Sequence, residues 1–303
     1  MSKQKAVSKL QGILVPIVTP MDAGGRILYR AFEENLRQLR SYPLAGFVVA
    51  GSTGEAPFLR PDERLRLFAA ARRIVRFPQL VVGVTGLEST LETLRLSRAA
   101  EREGVDCLLV ITPNYFRPKM TSAALRAYYE TVADGVTTPT AIYSIPQFTG
   151  IKMEAAAIGA LSRHPNIVGI KESSGDAAYL RQILRRVEPG FRVLTGSPLL
   201  LLKALRWGAA GGILGLSNYI PELCLDIVAA CRKKQWDNAG KLQRRLAQMT
   251  RTVNIPFGVP GVKAAMNYRG WAGGIPRSPL LPLTREERLI VEKAMQPYLP
   301  APA

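Results

Sequence analysis

Histidine is nearly missing from this chain, with His164 the only one among 303 residues. A histidine-based triad or a multi-histidine metal site therefore has almost no material, and the setting Arg163-His164-Pro165-Asn166 fits a loop or helix end better. Cysteine is scarce too. Cys107, Cys224 and Cys231 have neither metal-ligand spacing nor the density of a disulfide scaffold, so they read as reduced and structural. No apolar stretch is long enough to cross a bilayer, and Met1 to Leu10, with Lys3, Lys5 and Lys9, lacks the apolar run of a secretory signal. A cytoplasmic protein with no membrane partner is expected. Acidic side chains are few, 23 against 41 basic ones, for a net charge of +18. That excess raises nucleic acid or an acidic surface as a partner. The cations, however, are spread along amphipathic segments (Arg64, Arg66, Arg72, Arg73; Arg181, Arg185; Arg244, Arg245) and do not form one stripe, so a solvated outer face is the preferred reading.

What is present is a hydrophobic fraction of 47% in a length that supports one large core. Short β-branched apolar runs at 13–18, 46–50, 80–85, 107–111, 140–144, 167–171, 192–195 and 212–216 predict strands. Helical periodicity fills the gaps at 28–40, 61–75, 91–103, 123–134, 154–162, 177–187 and 198–207. The runs are apolar nearly throughout, as in parallel strands buried on both faces. Such an alternation predicts an α/β fold of the closed (β/α)₈ TIM-barrel type. An open doubly wound sheet would need a phosphate loop at its switch point, and no convincing G-x-G-x-x-G or P-loop is found. Beyond residue 220 the pattern is purely helical (221–234, 236–253, 261–268, 284–295). The expected division is a barrel over 1–220 and a C-terminal helical extension over 221–303 packed on it. The stretch 255–263 reads as a loop entering a helix, with Lys263 at the surface or the helix start.

Lys171 closes the apolar run Ile167-Val168-Gly169-Ile170. Desolvation disfavours an ammonium and favours the free amine, the species that attacks a carbonyl to form a Schiff base. A lysine whose stem packs along the strand while its head snorkels into the next loop is the plainer alternative. Barrel enzymes place their chemistry at the C-terminal ends of strands, which directs attention to the other ends. Gly51-Ser52-Thr53-Gly54-Glu55 offers two hydroxyls in a tight turn whose backbone N–H groups suit a carboxylate. Thr112-Pro113-Asn114-Tyr115 follows the fourth run, Tyr143-Ser144-Ile145-Pro146 closes the fifth, and Gly215 with Ser217-Asn218 follows the eighth.

In this order G-S-T-G-E, T-P-x-Y, Y-x-x-P and I-K-E-S resemble the family of pyruvate-dependent class I aldolases and lyases that includes dihydrodipicolinate synthase and N-acetylneuraminate lyase. The resemblance runs from about Gly12 to at least Lys263. It implies that Lys171 is the Schiff-base lysine, Tyr143 the proton shuttle, and Ser52 and Thr53 the binders of a 2-oxo acid carboxylate. It implies that Tyr115 crosses a subunit interface to join Ser52 and Tyr143, that Ser173 lies near the substrate, and that Gly215 contributes backbone. It further implies a homotetramer, a small 2-oxo acid as substrate, and no metal or organic cofactor beyond the covalent lysine adduct.

Within the family, Phe148 stands where the synthases carry an arginine for the carboxylate of aspartate semialdehyde. Pro198, Leu199 and Gly215 replace the polyol-binding side chains of the sialic acid lyases. Segments 46–49, 55–59, 120–125, 143–144, 164–169 and 257–261 resemble 4-hydroxy-2-oxoglutarate aldolase most, which makes cleavage of a 4-hydroxy-2-oxo acid the leading expectation. Arg117 and Lys119 are the cations expected for the far end of a dicarboxylate. Dihydrodipicolinate synthase activity is the alternative, and a non-catalytic barrel binding nucleic acid or acidic partners is the alternative of another class.

Overall fold

The structure is a computed structural model and describes residues 7–299. The apolar runs form parallel strands β1 (Gly12–Pro16), β2 (Gly46–Val49), β3 (Leu80–Val84), β4 (Cys107–Ile111), β5 (Thr140–Ser144), β6 (Ile167–Glu172), β7 (Arg192–Thr195) and β8 (Gly211–Ile213). Each pairs with the next and β8 closes on β1, so the chain is a (β/α)₈ barrel with additional C-terminal helices. The largest change from the sequence reading is at β8, where the run expected to reach Leu216 stops at Ile213 and tightens into the 3₁₀ turn Gly215–Asn218. Asn218 is the reason. Its Oδ1 accepts the Val18 N–H at 3.1 Å and its Nδ2 donates to Pro16 O at 2.9 Å, so a side chain joins the ends of β1 and β8.

Successive strand residues point to opposite faces, and both faces are buried. Leu14, Val48, Val82, Leu109, Ala141 and Tyr143 fill the barrel interior. Ile13, Phe47, Val81, Leu108, Ile142 and Ile170 pack outward against the helices. Strand β6 breaks the alternation. Thr140 pairs with Ile167 but Ala141 pairs with Gly169, leaving Val168 as an extra residue in a bulge. Ile167 packs outward, so an unbroken alternation would have sent Lys171 outward as well; the bulge instead places it directly beside Tyr143 in register. Gly169 belongs there because a Cβ would lie 2.5 Å from the carbonyl oxygen of Arg192.

Helix Pro221–Arg232, assigned to the extension by the sequence pattern, lies against β1 and against helix Leu201–Arg206, as a barrel helix does. Beyond it, helix Trp236–Met249 runs through the π turn Thr250–Asn254 into helix Ile255–Tyr268. The loop expected at 255–260 is thus wound into the helix. It is interrupted only at Gly258, whose φ of 51° breaks the helical path before Pro260 re-enters it. Leu246, Met249, Val253, Val262 and Met266 share the outer core with the barrel. Helix Arg285–Met295 starts on a capping box between Thr284 and Glu287. The expected surface lysine is a correction: Lys263 is 1% exposed and makes a buried ion pair with Glu55. Nothing in the local pattern around it announced a carboxylate partner some two hundred residues away.

The three cysteines are unpaired, and burial pushes the Cys107 thiol up to about 12. His164 follows helix Ala155–Leu161; its Nδ1 accepts the Asn166 N–H, leaving Nε2 to donate to Asp134 at 3.0 Å. Several of the exposed arginines already pair with carboxylates on the outer helices, Arg73 with Glu33 and Arg126 with Glu130 among them. Among the described residues no helix is long and apolar enough to cross a membrane.

Candidate active site

A cavity of about 370 Å³ opens where the strands end. Ser52 and Thr53 reach it from the turn after β2, Tyr143 from β5, Lys171 from β6, Ser173 from the loop after β6, and Gly215 from the turn after β8. Thr250, Asn254, Val259 and Val262 of the extension supply one wall. Ser52, Thr53, Tyr143, Lys171, Ser173 and Gly215 therefore meet in one cavity, and Tyr115 does not.

Lys171 is 5% exposed and its Nζ lies 4.0 Å from the centre of the Tyr143 ring. The ring face holds the amine in place and leaves the phenol free beyond it. Tyr143 Oη is 3.1 Å from Ser52 Oγ, so a proton on the phenol has a hydroxyl partner leading to the next turn. That turn is held by Glu55 N–H donating to Ser52 O at 3.1 Å and by Thr19 Oγ1 donating to Gly54 O at 2.8 Å. Among the described residues the N–H groups of Ser52 and Thr53 donate to no backbone atom.

Ser173 Oγ is buried without a hydrogen-bond partner, a polar atom facing the lysine side of the cavity. A Cβ on Gly196 would fall 1.9 Å from that Oγ and 3.2 Å from Lys171 Cε, so this glycine makes room for both side chains. Gln147 donates from Nε2 to Ser173 O at 2.5 Å and fixes the loop. Helix Ala177–Leu184 then starts at Asp176, whose Oδ1 caps the Tyr179 N–H at 3.0 Å. Phe148, on the short helix Pro146–Thr149, stands 71% exposed at the mouth. Sequence reasoning missed Gly196, Gln147 and Asn254. Only Gly196 had a local signal, a glycine directly after a strand end.

Tyr115 is 78% exposed, stacks edge-on against Phe116 at 5.0 Å, and takes no part in the cavity wall of its own chain. Arg117 and Lys119 are outside the wall as well, so the cations expected for a distal carboxylate are not supplied there by this chain. Lys171 is, among the described residues, the one charged side chain in the lining. Among the described residues no three His, Cys, Asp or Glu side chains converge as they would around a metal ion.

Glu172, next to the lysine, is fully buried; its Oε1 accepts the Ser174 N–H at 2.6 Å and its Oε2 has no partner. Burial raises its pKa above the ordinary carboxylate value, with the Ser174 contacts opposing. A raised folded value means that Glu172 contributes stability below its unfolded pKa of about 4.3 and loses that contribution as pH rises through the folded value. Glu172→Gln does not titrate. Its melting temperature minus that of the wild type is therefore expected to increase from about pH 4 towards neutrality; a difference independent of pH across that window would refute the assignment.

The model of the dihydrodipicolinate synthetase family matches residues 9–297, nearly the whole chain. The chain belongs to this family. It is a lyase of the dihydrodipicolinate synthase type, a pyruvate-dependent aldolase. Among curated relatives, the 4-hydroxy-tetrahydrodipicolinate synthase of Methanosphaerula palustris is 32% identical over 291 residues, covering 95% of this chain and 99% of the relative. That of Limosilactobacillus reuteri is 34% identical and covers 93% and 92%. Among solved structures, a dihydrodipicolinate synthase of Bacillus anthracis superimposes with a TM-score of 0.89 at 28% identity, covering 95% and 98%. A prophage protein of E. coli K12 from the same family, in complex with pyruvate, gives 0.88 at 29% identity over the same shares. The expected closeness to 4-hydroxy-2-oxoglutarate aldolase finds no support in these relatives, whose names favour the synthase alternative. Segments 46–49 and 257–261 are strand β2 and the stretch around the helix break at Gly258, the latter beside the cavity wall.

Proposed function

We propose that this family member holds pyruvate as a Schiff base on Lys171 and condenses it with aspartate semialdehyde, the chemistry that the names of its relatives favour. The observation that carries the covalent step is the buried Lys171 amine against the Tyr143 ring, with Ser52 in hydrogen-bond reach of the phenol. The free amine attacks the C2 carbonyl of pyruvate, whose carboxylate sits on the Ser52 and Thr53 turn. The carbinolamine loses water to give an iminium, which withdraws electrons and lets a C3 proton leave. The resulting enamine attacks the aldehyde carbon, the aldehyde oxygen takes up a proton, and water releases the product and the lysine. Tyr143 moves these protons. Ser173 Oγ contacts the substrate, and the Gly215 turn borders it with backbone.

Completion of the relay falls to Tyr115 of a second copy. The exposure of Tyr115 and Phe116 supports an interface at which this loop crosses to a neighbour, in the homotetramer that the resemblance implies. A cytoplasmic enzyme fits the three unpaired cysteines. No metal or organic cofactor enters any step.

A second reading has its own observation. With Phe148, Leu199, Ile255 and Val259 around the mouth and no cation but Lys171, the cavity suits a 4-hydroxy-2-oxo acid whose distal part is uncharged. Rates of pyruvate condensation with aspartate semialdehyde and of cleavage of a 4-hydroxy-2-oxo acid with an uncharged tail, measured side by side, decide for or against the synthase. Condensation is expected to be faster, and the reverse order would reject the synthase reading. Under that reading, Phe148→Arg supplies a charged contact to the semialdehyde carboxylate and is expected to raise kcat/KM for it by about tenfold. The KM for pyruvate, bound on the other side of the cavity, should not move.

A further inference from the structure

The turn that presents Ser52 and Thr53 is flanked by two residues in the left-handed region, Ala50 at φ 55° and Glu55 at φ 61°. Residues with a Cβ disfavour that region, so something outside the turn has to hold it. Glu55 is the handle. Its Oε1 meets Lys263 Nζ at 2.5 Å, with the two side chains 0% and 1% exposed. Its Oε2 accepts the backbone N–H of Arg277 at 2.7 Å. Both partners come from beyond residue 221, in the helical extension. Lys263 is tied in turn by donating to Ile275 O at 2.8 Å, and the Arg277 guanidinium forks onto Glu63 with two contacts of 2.9 Å. Val262, adjacent to Lys263, lines the cavity.

A buried ion pair is a poor source of stability, because desolvating two charges offsets most of their attraction, and an apolar pair of the same size commonly does as well. What such a pair does supply is a defined geometry. We propose that Glu55 and Lys263 are positioning residues: the extension reaches into the barrel and sets the orientation of the turn that binds the carboxylate of the 2-oxo acid. The inference rests on the Schiff-base reading above. It assigns the extension a role in substrate affinity and not only in covering the barrel.

The role is separable from general stability with two ketones that share a carbonyl and differ in the carboxylate. Borohydride trapping is titrated with pyruvate and with acetone and read by intact mass, in the wild type, in Lys263→Met, and in Glu55→Gln/Lys263→Met. The paired variant leaves no unpartnered buried charge and carries the test if the single one does not fold. Loss of the buried ion pair that orients the turn is expected to raise the half-saturating pyruvate concentration by about tenfold or more. The acetone concentration should stay within about twofold, because acetone makes no contact with an anion site. If the two ketones shift together, or if neither shifts, the positioning role is overturned. Absence of a pyruvate adduct in the wild type is a different result, which removes the Schiff-base reading itself and this inference with it.

Discussion

Lys171→Ala is expected to abolish the borohydride-trapped adduct with pyruvate and to lower turnover on the order of 10⁴-fold or more, the scale on which removal of an enzymatic nucleophile acts. Among the described residues no other amine lines the cavity, so none of them is placed to take over. The side chain also packs in the barrel interior against Tyr143, and truncation leaves a void that costs stability. Lys171→Met keeps the stem and removes the amine. It is therefore expected to lose the adduct as completely as alanine while melting closer to the wild type. Intact mass with peptide mapping reads the adduct, and a melting curve reads the fold. Full activity in either variant would reject the covalent mechanism.

Tyr143→Phe is expected to give the second-largest effect, a fall in kcat of about 10²- to 10⁴-fold, the usual contribution of a positioned acid-base group. The ring against which Lys171 packs is retained, so the loss reports the phenol alone. Ser52 Oγ also loses its 3.1 Å partner. Schiff-base formation should slow while the adduct still reaches the same final extent, since the amine remains. Stopped-flow or quench measurement of adduct growth beside steady-state kcat separates the two steps. A kcat within about threefold of the wild type would mean that protons move by another route.

The barrel was legible because its residues announce it. Runs such as Val81-Val82 and Leu108-Leu109-Val110 are apolar on both faces, and only a parallel sheet covered by helices buries both. Ser52, Thr53, Tyr143, Lys171, Ser173 and Gly215 stood out as residues at or just after strand ends, and the barrel gathers them at one rim. Gln147 and Asn254 gave no such sign. Each acts through one contact with a distant segment, Gln147 with the loop after β6 and Asn254 with Tyr219, and local patterns carry no record of such partners. Lys263 was misplaced for the same reason. A lysine where a loop enters a helix reads as solvated until the buried carboxylate opposite it is known.

What the order of amino acids determined by itself is the number of strands, their parallel arrangement, and the identity of the amine and hydroxyls at their ends, since these follow from hydrophobic periodicity and residue chemistry. Which way Lys171 points was decided only in three dimensions. Alternation counted from Ile167 sends it outward among the helices, and the extra residue at Val168 turns it inward, beside Tyr143. A bulge exists only in the pairing of two strands, where it moves the side chains beyond it to the opposite face.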